Sequence, residues 1–98
     1  MTPAITVRPE AASDIDEAYR WYERARGGLG AEFLAAVRSA LDLVCERPEQ
    51  FPVVYRNTRR MLLRRFPYSL FYRIESGAIL LVAVFHGKRD PRVWRARR

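Results

Sequence analysis

Hydrophobic residues recur along this chain with two different periods, and the change falls near Phe51. Before it the spacing is helical; after it the spacing is two. Ile5-Thr6-Val7-Arg8 alternates apolar and polar and runs into Pro9, which predicts a short first strand. Ile15, Ala18, Tyr19 and Tyr22 then fall at helical spacing. Ser13 is the expected N-cap, with Asp14, Asp16 and Glu17 at the helix end that favours negative charge. Gly27-Gly28-Leu29-Gly30 breaks the pattern. No strand precedes it and no lysine follows, so it reads as a helix-to-helix turn and not as a phosphate cradle. Phe33, Val37, Ala40, Leu41 and Val44 mark one face of a second helix from about Gly30 to Arg47, and Pro48 ends it.

The second half predicts three strands. Arg59 to Phe66 is one, with arginines at both ends. Tyr68, Leu70, Tyr72 and Ile74 alternate with Ser69, Phe71, Arg73 and Glu75, the pattern of a half-buried strand. Ser76-Gly77 is a hairpin turn. Ala78 to Phe85 is apolar on both faces, which predicts a central strand covered on both sides. The expected fold is α+β in two layers: an N-terminal strand, a helical hairpin, then a three-stranded antiparallel meander, all in a single domain over residues 1–98.

Charge sharpens this picture. Residues 1–50 carry six arginines against nine acids; residues 51–98 carry twelve basic residues against Glu75 and Asp90. An anionic partner should therefore meet the C-terminal half. Codon bias in a GC-rich genome accounts for arginine over lysine, but not for the asymmetry. Cys45 is the lone cysteine and His86 the lone histidine, so neither an internal disulfide nor a usual zinc cluster is expected; no metal or cofactor is. Cys45 lies beside the second helix's apolar stripe and reads as a packing residue. The longest apolar run, Ala78 to Phe85, is far short of the roughly 20 residues of a membrane span. The N-terminus lacks the pattern of an export signal, and a cytoplasmic protein without a membrane partner is expected.

The order strand–helix–helix–three strands in so short a chain resembles the RelE/ParE toxins. Three stretches carry the resemblance: Leu29 to Leu34 through Arg47-Pro48-Glu49-Gln50-Phe51-Pro52; Pro67-Tyr68-Ser69-Leu70-Phe71-Tyr72-Arg73-Ile74; and Val84-Phe85-His86-Gly87-Lys88-Arg89-Asp90-Pro91 followed by Trp94. What it implies is the toxin of a type II toxin–antitoxin system, a growth inhibitor held by a cognate antitoxin with an acidic C-terminal tail. Arg64 and Arg65 are the candidate antitoxin-binding residues.

The resemblance covers two chemistries. RelE-like members cut messenger RNA on the ribosome without a metal; ParE-like members inhibit DNA gyrase. RNA cleavage needs a base, an acid and cations for the developing phosphorane. His86 and Arg89 are the catalytic candidates. Arg73, Lys88, Arg89 and Trp94 are candidates for target binding. The arginine that RelE-like members place after the third-strand tyrosine is Ser69 here, and their lysine-rich strand is replaced by Met61-Leu62-Leu63. The set leans towards a gyrase inhibitor that is not an enzyme. The alternatives are a ribosome-dependent endoribonuclease with messenger RNA as substrate, and a basic nucleic-acid-binding domain. Each candidate also has a plainer reading: His86 as a polar strand end, Arg64, Arg65 and Arg73 as a solvated sheet face, Trp94 as a pin for the tail. Trp21, Tyr19 and Tyr22 read as packing between helices.

Overall fold

The computed structural model describes residues 4–97. Strand β1 (Ile5–Val7) leads into helix α1 (Pro9–Ala25), which is followed by α2 (Leu29–Glu46), β2 (Val53–Tyr55), β3 (Thr58–Leu62), β4 (Tyr68–Glu75), β5 (Ala78–His86) and a short α3 (Arg92–Arg95). Among the described residues the strands make one sheet in the order β1-β5-β4-β3-β2. The expected two-layer α+β architecture is present: the α1–α2 hairpin covers one face of the meander β3-β4-β5.

Four details differ from the sequence expectations. First, α1 does not start at Ser13. Pro9 occupies the first helical position, where its fixed φ suits the helix and its missing N–H costs nothing, and Arg8 is the extended N-cap residue. Second, β1 joins the sheet parallel to β5, Ile5 opposite Ile79 and Val7 opposite Leu81. The helical hairpin carries the chain from β1 to β2 at the far edge, and the meander then returns to lay β5 beside β1. Third, the strand expected over Arg59–Phe66 stops at Leu62. The chain turns there, and Phe66 folds back into the helix-side core against Tyr22 and Phe33. Fourth, β2 was not anticipated: three residues are too few to show a period, yet Val53 pairs with Arg59 and Tyr55 with Thr58.

Two hydrophobic clusters sandwich the sheet. Phe33, Val37 and Val44 of α2 pack with Leu70, Tyr72, Ile79 and Leu81 on the helix side. Phe71, Val82, Ala83 and Phe85 form the other cluster with Trp94 from the tail. A bulge in β5 divides its residues between them. Phe71 faces Ala83 but Tyr72 faces Leu81, so Val82 is the extra residue and the alternation shifts by one. Because each face of β5 is covered by its own cluster, the strand reads as apolar throughout. The tail likewise buries the face of β4 expected to be polar, at Phe71 and Ser69.

The tight turns use the expected residues. Ser76 and Gly77 both have positive φ, 52° and 76°, the geometry of a two-residue hairpin. Gly30 serves a close approach: a Cβ there would lie 2.7 Å from the Tyr19 ring. The lack of a side chain also lets Glu23 reach across and accept the N–H groups of Gly28 and Gly30 at 2.9 Å each, capping α2 from the neighbouring helix.

Candidate functional site

The end of β5 gathers three of the sequence candidates. Tyr68 pairs with His86 across the sheet, the Gly87 N–H continues the ladder to the Pro67 carbonyl, and Arg89 N–H closes a turn on the His86 carbonyl. His86, Lys88 and Arg89 therefore stand on one rigid corner. Leu63 to Pro67 connects β3 to β4 at this same end of the sheet, so Arg64 and Arg65 share it.

The His86 ring lies edge-on to Tyr68, centroids 5.3 Å apart, and its Nδ1 accepts the Lys88 N–H at 3.0 Å. The neutral ring thus carries its proton on Nε2. Arg89 stacks on Phe85, its guanidinium carbon 4.0 Å from the ring centroid, and lies 4.0 Å from an Asp14 oxygen. Between this corner and α1 runs a groove of about 570 Å³ lined by Glu17, Trp21, Tyr22, Tyr68, His86 and Arg89 among others. Burial pushes the Tyr68 phenol above its ordinary range. Arg89 opposes that shift, and Glu17 and Asp14 add to it. Tyr22 moves the same way through burial, with Tyr68 adding to it. Both phenols stay neutral near physiological pH.

Trp21 departs from expectation. Instead of packing between the helices, it is 59 % exposed and touches Tyr22 edge-on at the groove's rim. Its position between the buried Ala18 and Tyr22 gave no periodic signal that it faced solvent.

The other candidates are elsewhere. Trp94 is 4 % exposed, stacked on Phe71 at 4.1 Å with its edge to Tyr55. Arg73 lies on the outer face beside Glu75, its Nε 3.2 Å from the carboxylate. Arg65 is paired with Glu32 at 2.7 Å, and Arg26 holds the same carboxylate, which together hold it below the usual carboxylate range. Arg64 and Arg65 close one end of an apolar groove of about 480 Å³ between α2 and β3, lined by Ala36, Leu43, Met61 and Leu63.

Sequence reasoning missed the most constrained polar pair. Asp14, expected only to favour the helix dipole, is buried and grips Arg97 through both oxygens, at 2.6 and 3.1 Å. It also accepts the Val84 N–H at 3.0 Å, while Arg97 donates to the Val82 carbonyl. β1 ends at Val7, so this part of β5 has no neighbouring strand on that side; Asp14 and Arg97 satisfy its exposed edge. A hint was available: Asp14 sits three residues after Ala11 and four before Ala18, on the apolar stripe. Cys45 is buried, and its thiol is pushed up by burial and then by the Asp42 carboxylate, which keeps it protonated. Among the described residues no group of three His, Cys, Asp or Glu side chains is arranged to hold a metal ion, and no helix is long and apolar enough to cross a membrane.

A helical hairpin thus lies on one face of a five-stranded sheet, an α+β arrangement, with a basic corner where the last strand ends. The profile described as the ParE toxin of the type II toxin-antitoxin system parDE matches residues 5–91, and the chain belongs to that family. Toxin ParE2 of Mycobacterium tuberculosis, in two strains, is 27 % identical over 92 residues, covering 93 % of this chain and 88 % of the relative. Among solved structures, the chromosomal ParDE system from P. aeruginosa superposes with a TM-score of 0.66 at 21 % identity, over 87 % of this chain and 96 % of that one. The toxin–antitoxin complex RelBE2 from Mycobacterium tuberculosis gives 0.62 at 18 % identity, over 88 % and 99 %. These structures share the fold with this chain.

Proposed function

We propose that the chain, acting as one domain, is a growth inhibitor that targets DNA gyrase and is held inactive by a cognate antitoxin. The observation that carries the target assignment is the incompleteness of any RNA-cleaving set. Ser69, standing where RelE-like members carry an arginine, is buried beneath the tail and offers no cation to a phosphate. β3 presents Met61 and Leu62 in place of lysines. The groove's phenols are held neutral, so Tyr68 is unsuited to act as a base. What the corner does offer is a contact surface: Lys88 and Arg89 on a rigid turn and Trp21 exposed across the groove.

The antitoxin reading rests on the α2–β3 groove. Its apolar lining and the exposed Leu34, Leu43 and Leu62 suit the apolar side of an amphipathic segment, and Arg64 and Arg65 suit its acidic residues. β2 covers β3 only as far as the Arg60 N–H, which bonds the Pro52 carbonyl; Met61 and Leu62 lie on the remaining edge, open to an added strand.

The endoribonuclease reading keeps one specific support: His86 and Arg89 meet in the same groove. Induction of the toxin alone separates the two, by mapping messenger RNA ends and assaying supercoiling by purified gyrase. Inhibited supercoiling with intact messages is the expected result, and His86→Ala should lower toxicity only modestly. A general acid or base contributes about 10²- to 10⁴-fold, so in a ribonuclease the same change would nearly erase activity. Prompt codon-spaced cleavage that disappears in His86→Ala would overturn the gyrase assignment.

A further inference from the structure

A second basic cavity, of about 540 Å³, lies on the outer face of the sheet, where the returning tail crosses towards the β2–β3 and β4–β5 turns. Among the described residues its wall contains Arg8, Arg56, Arg73, Arg95 and Arg97 and a single carboxylate, Glu75. They are supplied by the end of β1, the β2–β3 turn, β4 and the tail, so the fold assembles the cluster from distant parts of the sequence. Arg97 is matched by Asp14, and Arg73 lies beside the half-exposed Glu75. Among the described residues Arg8, Arg56 and Arg95 pair with no carboxylate.

One observation points to a missing anion. The Nε groups of Arg8 and Arg73 are shut off from water and donate to nothing; the Arg73 Nε–H is not aimed at the Glu75 oxygen 3.2 Å away. Buried donors without acceptors are rare in native proteins, and here both belong to cations. Arg56 stands in the β2–β3 turn with φ 50°, a positive value like that of Ser76 in its own hairpin, which holds its side chain at the cavity's rim. At the wall, the half-buried Tyr55 ring lies under Arg56 at 5.3 Å and Arg95 at 5.0 Å.

We infer that this cavity binds a nucleoside polyphosphate, its phosphates among the arginines and its base against Tyr55. Guanidinium forks match phosphate oxygens in pairs. A polyphosphate also brings more negative charge into a small volume than an acidic peptide can, and the cavity falls in the size range of small-molecule sites. The same phosphate chemistry occurs in a nucleic-acid backbone, so the test must distinguish the two.

Calorimetry on the purified protein at physiological ionic strength would compare ADP, ATP, pyrophosphate, a short single-stranded RNA and a glutamate-rich peptide. ADP and ATP should saturate one site and raise the melting temperature, with ADP tighter than pyrophosphate. Arg8→Gln and Arg73→Gln should each weaken ADP about tenfold or more. Arg56→Asn, which suits the turn's backbone, should weaken it about three- to tenfold without lowering the melting temperature of the unliganded protein. Arg38→Gln, on α2, should leave the affinity unchanged. Pyrophosphate binding as tightly as ADP, RNA or peptide binding in place of nucleotide, or nucleotide binding indifferent to all three cavity substitutions would each overturn the assignment.

Discussion

Asp14 belongs by sequence to the acidic half, but its partners lie in the basic one. Itself buried, it holds the largely buried Arg97 guanidinium and the Val84 N–H, so its loss takes a partner from both at once. Breaking a buried ion pair from one side costs about 3–5 kcal/mol, because the remaining charge stays buried alone. Asp14→Ala is therefore expected to lower unfolding stability by about that amount in urea titrations. Asp14→Asn, which keeps an oxygen for Val84, should cost less. A loss under about 1 kcal/mol for the alanine variant would mean the pair is not formed in solution. The tyrosines make a separate, pH-dependent contribution. Burial raises the phenols of Tyr22, Tyr68 and Tyr72 above their ordinary value of 10.0. Tyr72 is also anchored by donating to the Pro48 carbonyl at 2.6 Å. A folded-state pKa above the unfolded one gives stability that is fully present below pH 10 or so and is lost as pH climbs towards the folded value. Stability should thus be insensitive to these groups at neutral pH and fall on the alkaline side. Spectroscopic titration should find tyrosinate forming later in the native protein than in urea, and coincident curves would contradict this.

At the scale of elements, the α-helical layer and the hairpin were legible because their signals are local. The stripe of α2 repeats over more than three turns, and Ser76-Gly77 is a turn whose backbone needs are written in two adjacent residues. The start of α1 is ambiguous in sequence because Ser13 competes with Pro9, and a proline that fits the first turn outweighs a serine within it. The outer layer was legible only in part: β5, apolar on both faces, and Trp94 as a pin for the tail announce a cover there, but not its register. Trp94 gives no sign in sequence of which strand it will meet, and the bulge at Val82 that turns Ala83 and Phe85 towards it has no glycine to announce it. Of the candidate site, the His86–Lys88–Arg89 corner could be read because it is contiguous, whereas the groove's other wall depends on the packing of α1. The tail is what closes the outer face. Trp94 stacks on Phe71 and sits among Val82, Ala83 and Phe85, so Trp94→Ala is expected to cost about 3–5 kcal/mol and Trp94→Phe distinctly less. Thermal unfolding of the two variants checks this. Equal melting temperatures for Trp94→Ala and the parent would show that the tail does not hold the sheet.

Over the whole molecule, the C-terminal half distributes its positive charge to three places: the α2–β3 groove with Arg64 and Arg65, the corner with Lys88 and Arg89, and the outer cavity. The first two share one end of the sheet but flank different grooves, so inhibition and neutralisation should be separable by mutation. Deleting the tail is a poor test, because removing residues after Phe85 also removes Trp94 and Arg97 and uncovers one face of the sheet. Point changes at exposed positions avoid this. Lys88→Glu with Arg89→Gln alters the corner while sparing Asp14 a second carboxylate nearby. It should abolish growth arrest and gyrase inhibition yet leave antitoxin affinity within about threefold, since rim charges distant from an interface contribute little. Arg64→Glu with Arg65→Glu should do the reverse: arrest persists, but co-expressed antitoxin rescues poorly and the complex becomes more salt-sensitive. Arg64 should dominate this pair, because Arg65 already has Glu32 as a partner and gives up that contact to bind another acid. The measurements are colony formation with each toxin expressed alone and with antitoxin, and complex affinity at two salt concentrations. If either double variant lost arrest and antitoxin affinity together while keeping its parent's melting temperature, the two surfaces would be one. The antitoxin would then act by covering the corner directly rather than by holding the toxin from the α2–β3 side.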